Sequence, residues 1–126
     1  MVSILIIAIA NIFFGISRNE SESMEPTLYD GDWILFVRYV NPAVSGIFFV
    51  VSPHDENKKI IKRITAVVSP NYFYVLGDHK GEYWDADLGE MAVSFDSRSF
   101  GPVHRFSIHE RVVLVFWPPQ HVRWLW

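Results

Sequence analysis

The first fourteen residues constrain this chain most, because they form an almost continuous apolar run. Val2 to Phe14 are apolar except for Ser3 and Asn11. Such side chains gain free energy by leaving water, so lipid or protein has to cover them. The run is shorter than the roughly 20 apolar residues that cross a bilayer as a helix. Four interpretations stay open: a span truncated at its N-terminus, a shallow anchor, a signal-peptide core, and a buried helix.

A cleaved signal peptide fits less well than an attached anchor. No basic region precedes the run, and no A-x-A-like site precedes the polar residues Ser17, Arg18, Asn19 and Glu20. Both features are typical of secretory signal peptides. We therefore expect residues 1–17 to form an N-terminal transmembrane anchor that stays attached and residues 18–126 to form a single domain.

Composition excludes several classes of function. Half of the 126 residues are hydrophobic, which is enough for one compact core. The net charge of −3 comes from scattered acids and bases, so nucleic acid is not an expected partner. The chain has no cysteine, which excludes disulfides, thiolate metal sites and cysteine catalysis. Its five histidines lack close zinc-ligand spacing, and we expect no metal or other cofactor.

Beyond Glu20 the sequence predicts an all-β domain. Short runs rich in Val, Ile, Phe and Tyr alternate with turn-forming pairs such as Asp30-Gly31 and Pro118-Pro119. A closed or partly closed β architecture is favoured, with only short helices after the anchor. Residues 77–101 are predicted to be a long loop, either functional or disordered. The predicted strands cover residues 33–38, 47–52, 60–68, 72–76 and 112–117.

Two hydroxyl side chains, Ser21 and Ser23, lie just beyond the apolar run. A serine becomes a strong nucleophile only when a base removes its proton and donors stabilise the oxyanion. Pro26 restricts Glu25 to extended conformations, which favours an irregular, accessible segment. The alternative is that these serines simply cap the preceding helix or turn the chain out of it.

Lys62 is the candidate base. Strand alternation puts Ile60, Lys62, Ile64 and Ala66 on one face and Arg63 on the other. Burial among apolar neighbours lowers a lysine pKa, as a general base near neutral pH requires. The alternative is an edge-strand lysine whose stem reaches to solvent. A Ser–Lys pair needs no histidine or acid, and the chain has no G-x-S-x-G segment for a Ser–His–Asp triad.

These segments resemble the type I signal peptidase family. The stretch from Ser23 to Leu28 is similar to its nucleophile box, and Gly31-Asp32 to the box that follows. Lys62-Arg63 resembles the general-base box. Gly77-Asp78 and the S-x-D-S-R segment that begins at Ser94 are similar to the later boxes, and all occur in the family's order.

The resemblance implies both a fold and a set of site residues. The fold is an all-β, signal-peptidase-like (LexA-like) β-barrel with one N-terminal transmembrane helix. Ser23 is implied to be the nucleophile and Lys62 the general base, with the Ser23 N–H and the Ser21 hydroxyl as the oxyanion hole. Ser94 is implied to orient the lysine. Asp96 and Arg98 are implied to form an acid–base pair that supports the site from behind.

The expected function is that of a membrane-bound serine endopeptidase. It would remove signal or presequence peptides from translocated or membrane-anchored precursor proteins, with the lipid bilayer and a homologous protease subunit as further partners. Within the family the likeness is nearest to the mitochondrial inner membrane proteases. The expected location is therefore the mitochondrial inner membrane, facing the intermembrane space, with an outward-facing bacterial plasma membrane as the alternative.

The sequence leaves three alternatives to this function. One is a dedicated maturation protease for a single client, and another is a non-catalytic partner subunit of a membrane protease complex. The third, a self-cleaving repressor, is disfavoured because no DNA-binding domain fits before Ser21.

Some segments depart from the family pattern or stay ambiguous. Val93 stands where bacterial members usually carry asparagine. Residues 81–93 resemble an insertion that is acidic and aromatic, either a lid or partner surface or a solvated loop. Two aromatic stretches, Trp117-Pro118-Pro119 and Trp124-Leu125-Trp126, are either core and terminus or an interfacial belt on a bilayer.

Overall fold

The structure is a computed structural model that describes residues 1–85 and 88–126, and it consists of a helix followed by antiparallel strands. Helix α1 spans Val2–Phe13 and α2 spans Ser97–Phe100, and the strands are β1 (Phe14–Arg18), β2 (Trp33–Val37), β3 (Ile47–Ser52), β4 (Asp55–Ser69), β5 (Tyr72–Leu76), β6 (Glu82–Asp85), β7 (Glu90–Val93), β8 (Val103–His104), β9 (Ile108–Trp117) and β10 (Arg123–Trp124).

The main sheet has eight strands in the order β1-β2-β9-β3-β4-β5-β8, and β10 pairs with β9. Strands β6 and β7 form a separate hairpin. The predicted β class is therefore confirmed. The predicted barrel is corrected to an open antiparallel sheet, because the outer strands β1 and β8 do not pair with each other in the described residues.

The apolar run forms α1 over 12 residues, none of them buried. The helix ends because Phe14 is extended, with φ −124° and ψ 153°, and pairs with Val37 of β2. The Arg38 guanidinium donates hydrogen bonds to the carbonyls of Asn11 and Phe14, which holds this junction against β2. Among residues 1–85 and 88–126, no helix combines the length and the apolar character needed to cross a membrane.

Two apolar clusters form the core. The first joins β3, β4 and β5 through residues such as Phe48, Ile64 and Val75. The second joins β2, β3 and β9, and it also contains Met24 and Leu28 from the segment between β1 and β2. Both of these side chains are fully buried. The segment that carries Ser23 is therefore anchored in the core by its own apolar side chains.

The structure agrees with the predicted limits of β3 and β5 but lengthens two other strands. β4 begins at Asp55 and β9 at Ile108, where polar residues conceal the strand pattern. Ala66 is exposed, unlike Lys62 and Ile64, because the pairing of β4 with β5 shifts between Ile64 and Ala66.

The predicted long loop at 77–101 in fact contains β6, β7 and α2. Part of the proposed insertion, residues 86–87, lies outside the described residues, so its role stays a prediction.

Candidate active site

The segment between β1 and β2 presents Ser23. A short turn follows the serine, in which the Leu28 N–H donates to the Met24 carbonyl at 3.0 Å. Met24 and Leu28 point into the core, and Ser23 faces the opposite way, toward β4. Its side chain is nevertheless buried, with 3% exposure. The buried apolar residues after the serine thus fix the position of its hydroxyl.

Lys62 of β4 meets Ser23 directly. Its Nζ donates a hydrogen bond to Ser23 Oγ at 2.8 Å. In the ladder between β3 and β4, Lys62 lies opposite Phe48, and its side chain is also 3% exposed. The structure therefore brings together the two residues that the sequence singled out as nucleophile and base.

The environment of Lys62 favours the neutral amine. Burial lowers the pKa of Lys62 to about 8 from its usual 10.5. The Asp96 carboxylate opposes this change, whereas the Arg98 guanidinium reinforces it. A lysine with this pKa is partly deprotonated near neutral pH, so its Nζ can accept a proton from a hydroxyl at hydrogen-bond distance.

Ser21 lies on the other side of the Ser23 hydroxyl. Its own hydroxyl donates to Ser23 Oγ at 3.1 Å and accepts from the Ser23 N–H at 3.1 Å. The two groups predicted as an oxyanion hole are therefore adjacent, and they contact each other. A carbonyl oxygen that enters the site would replace Ser21 Oγ as the acceptor for the Ser23 N–H.

The backbone carbonyl of Ser23 is held by two donors. The His79 N–H donates to it at 3.0 Å and the Ser94 hydroxyl at 3.3 Å. Ser94, predicted to orient the lysine, thus contacts the backbone of the nucleophile. Gly77 makes the close approach possible, because a Cβ atom there would lie 2.5 Å from the Ser23 carbonyl oxygen and 2.6 Å from Ser94 Oγ.

Asp96 and Arg98 form an ion pair behind the site. The Arg98 side chain donates to both oxygens of the fully buried Asp96 carboxylate, at 3.0 and 2.7 Å. The Gly77 N–H donates to the same carboxylate at 2.9 Å. Burial by itself raises the pKa of Asp96, but these hydrogen bonds, first those from Arg98, leave it below its usual value. The pair connects α2 to the end of β5 beside Ser23.

A second ion pair, which the sequence analysis did not assign, lies on the other side of the nucleophile segment. Arg63 donates to both oxygens of Asp78 at 2.8 and 2.7 Å, and the Thr27 hydroxyl also bonds to that carboxylate. Burial raises the pKa of Asp78, yet the hydrogen bonds from Arg63 and Thr27 lower it on balance. Strand alternation in β4 could have pointed to this pair, because it places Arg63 on the face opposite Lys62.

An open cleft of about 890 Å³ runs past the serine and the lysine. One wall carries the acidic side chains Glu20, Glu22 and Asp30, and the β3–β4 side carries His54 and Lys58. Apolar groups complete the lining, including Ile60 and Ile61. A cleft of this size fits a stretch of extended polypeptide.

No group of three or more His, Asp or Glu side chains in the described part of the chain could hold a metal ion. What the arrangement can do chemically is move a proton between a serine hydroxyl and an amine next to a peptide-sized cleft.

Comparison with known proteins gives consistent matches. Residues 1–71, which include Ser23 and Lys62, match the family model described as "Signal peptidase, peptidase S26". The Mus musculus protein "Mitochondrial inner membrane protease subunit 2" is 31% identical over an alignment of 134 positions that covers 86% of this chain and 69% of the mouse protein. The Homo sapiens protein of the same name has the same identity and coverage. The Danio rerio protein is also 31% identical, with 66% of its length covered.

Proposed function

The chain belongs to the signal peptidase (peptidase S26) family, and on this basis we propose that it is a membrane-bound serine endopeptidase with Ser23 as nucleophile and Lys62 as general base. One observation carries the proposal. The buried Lys62 Nζ lies 2.8 Å from Ser23 Oγ, with a pKa lowered to about 8. This is the relation that a Ser–Lys dyad requires.

The reaction begins with transfer of the Ser23 proton to the neutral amine of Lys62. Ser23 Oγ bonds to the scissile carbonyl carbon, and the Ser23 N–H and the Ser21 hydroxyl stabilise the negative oxygen of the intermediate. When the peptide C–N bond breaks, the Lys62 ammonium returns the proton to the leaving amine. Lys62 then accepts a proton from water, and the hydroxide bonds to the acyl carbon. As the ester C–O bond to Ser23 breaks, the Lys62 ammonium returns this proton to Ser23 Oγ, which releases the acid product and restores the enzyme.

The substrate would lie extended in the cleft that Ser23 and Lys62 line. The walls of the cleft are the β1–β2 segment and β4, so backbone hydrogen bonds from these elements can position the scissile bond. We propose signal- or presequence-bearing precursor polypeptides as substrates. The family match and the names of the similar proteins support this assignment.

Attachment to a membrane is part of the proposal. The residues of α1 are apolar except for Ser3 and Asn11, and none is buried. We propose that lipid covers them and that residues 1–17 serve as the anchor for a catalytic domain of residues 18–126. The relatives are named as mitochondrial inner membrane protease subunits, so we propose the inner membrane as the location and a homologous protease subunit as a partner.

The test uses the whole chain in lipid vesicles with a peptide that spans a presequence cleavage site. Ser23→Ala and Lys62→Ala should each lower kcat by at least about 10³-fold. Ser3→Ala and Lys80→Ala serve as matched controls, since both side chains are exposed and lie outside the cleft lining. Cleavage that survives in a folded Ser23→Ala protein would exclude Ser23 as the nucleophile. Inactive wild-type protein would instead favour the non-catalytic partner subunit.

Labelling of protein N-termini distinguishes an enzyme with many substrates from an enzyme with a single client. Precursor N-termini that accumulate on loss of the protein identify its substrates. Many different precursors support the general processing enzyme that we propose, and one precursor supports a dedicated maturation protease.

A further inference from the structure

We propose that His121 is a positioning residue for this active site, because through Asp32 it holds the loop that carries Ser21 and Ser23. The proposal rests on the proposed peptidase function and adds to it a residue that lies outside the cleft. Neither the sequence motifs nor the geometry of the cleft assigned His121 any role.

The chain after β9 turns back onto the nucleophile loop. β9 ends at Trp117, and a 3₁₀ turn over Pro119–His121 reverses the chain. β10 then pairs antiparallel with β9, with Arg123 opposite Val115. This return path places the side chain of His121 against Tyr29 and Asp32 of the nucleophile loop.

His121 makes two contacts with the loop. Its Nδ1 lies 2.5 Å from Asp32 Oδ1, and its ring stacks on Tyr29 with the ring centroids 4.6 Å apart. Two neighbours add further contacts. Arg123 donates to the Pro26 carbonyl at 3.3 Å, and Leu125 packs against the core cluster that contains Met24. The returning segment thus supports the loop at several points after Ser23.

Asp32 connects His121 to the rest of the loop that carries Ser23. It is 1% exposed, so its carboxylate depends on the protein for its hydrogen bonds. Besides the His121 contact it accepts the Tyr29 N–H at 2.9 Å. Its backbone carbonyl accepts the Asn19 N–H at 2.7 Å, which closes the base of the loop.

Asn19 completes the connection to Ser21. Its buried side-chain amide donates to the carbonyls of Ser21 and Tyr29, both at 2.9 Å. The Asn19 carbonyl accepts the Gly31 N–H at 2.7 Å. A continuous set of contacts therefore runs from His121 through Asp32 and Asn19 to the backbone of Ser21, whose hydroxyl touches Ser23. Loss of the hydrogen bond between His121 and Asp32 removes the first contact in this series.

A positioning role and a purely structural role predict different kinetics. If His121 only stabilises the fold, a variant that is still folded keeps its kcat. If His121 sets the position of Ser21 and Ser23, kcat falls while substrate binding in the cleft, and hence KM, changes little, because catalysis is sensitive to displacements of about 1 Å.

The experiment compares three variants of the full chain in vesicles, each assayed well below its own melting temperature. His121→Ala should lower kcat by about 10- to 100-fold with KM within about threefold. His121→Asn, whose amide can donate to Asp32 from nearly the same place as Nδ1, should recover most of that loss. His109→Ala is the matched control, since His109 is exposed on β9, and it should retain wild-type kcat.

A second measurement does not depend on turnover. Amide hydrogen exchange should become faster at Asn19, Tyr29 and Gly31 in His121→Ala and stay unchanged in His109→Ala. Unchanged exchange at these amides, or unchanged kcat in folded His121→Ala, would overturn the proposal. If wild-type protein proves inactive, the exchange result still decides whether His121 holds the loop, so the two failures are distinguishable. If His121→Ala does not fold, Asp32→Asn replaces it with the same expected results.

Discussion

The amine of Lys62 lies 2.8 Å from the hydroxyl of Ser23, although the two residues are 39 positions apart in the chain. Strand pairing on both sides of β4 fixes the backbone around Lys62, whereas Ser23 sits on a loop. Because both side chains are buried, the ammonium form of Lys62 loses most of its hydration. Burial of this amine therefore affects both the pH dependence of activity and that of stability.

Peptidase activity should rise with pH. Only neutral Lys62 can accept the Ser23 proton, and its pKa is about 8, so kcat/KM should increase through pH 8 and level off above it. Lys62→Arg should be inactive at every pH, because arginine stays protonated. The measurement is kcat/KM of the wild-type protein from pH 6 to 10. A flat profile across pH 8 would contradict the role of Lys62 as base.

Replacing Lys62 with an apolar residue should stabilise the protein at neutral pH. The shift from 10.5 to about 8 means that protonated Lys62 costs about 3 kcal/mol of folding free energy below pH 8. Between pH 8 and 10.5 the unfolded chain binds more protons at this group, so wild-type stability rises with pH. Lys62→Met should be more stable at pH 7, and its advantage should shrink toward pH 10.5.

Urea unfolding of both proteins at pH 7 and pH 10.5 measures this effect. Lys58→Met is the control, since Lys58 is exposed on the same strand. Lower stability of Lys62→Met at pH 7 would show that burial of Lys62 has no such cost.

The two members of the ion pair behind the site should shift the pKa of Lys62 in opposite directions. The Asp96 carboxylate raises the pKa of Lys62 and the Arg98 guanidinium lowers it. Asp96→Asn should therefore move the midpoint of the activity profile to lower pH, and Arg98→Met should move it to higher pH. Profiles of the two variants measured beside wild type give the comparison. Shifts of the same sign in both would contradict an electrostatic role for the pair.

Gly77→Ala should impair catalysis more than folding. The added Cβ would lie 2.5 Å from the Ser23 carbonyl oxygen, so the backbone of the nucleophile or the Ser94 side chain has to move. We expect a loss of about 10-fold or more in kcat, since a small misplacement of reacting groups is costly. Gly81→Ala is the control: it has φ +92° and open space around its Cβ, so it adds backbone strain without crowding. Equal kcat in the two variants would count against the crowding argument.

Much of the sheet could be predicted from local pattern. β3 and β5 largely alternate between buried and more exposed positions along short apolar runs, and their limits follow directly. β1 was missed because residues 14–17 were assigned to the predicted anchor, and only pairing with β2 makes residues 14–18 a strand. The beginning of β4 was missed because residues 55–59 are polar and exposed, and pairing with β3 accounts for its extension.

The candidate site, like the sheet, could be predicted only in part from the sequence. Ser23 and Lys62 could be chosen from the sequence because their segments resemble the family's nucleophile and general-base boxes, and because alternation put Lys62 on an apolar face. The role of Ser21 was implied by the same resemblance. Ser94 was predicted to orient Lys62. Its contact in the structure is with the Ser23 carbonyl, and this contact depends on the close approach that Gly77 allows. His121 carried no local signal, since its partner Asp32 is 89 positions away.

The sequence by itself therefore determined the β class, the strand cores and the candidate chemistry, since these depend on side-chain type and on periodicities of a few residues. The tertiary structure alone decided that the sheet stays open, that Lys62 meets Ser23, and that the returning segment around His121 supports the nucleophile loop. Those facts come from contacts between distant parts of the chain. Such contacts depend on how all the strands pair and pack together, which no local pattern specifies.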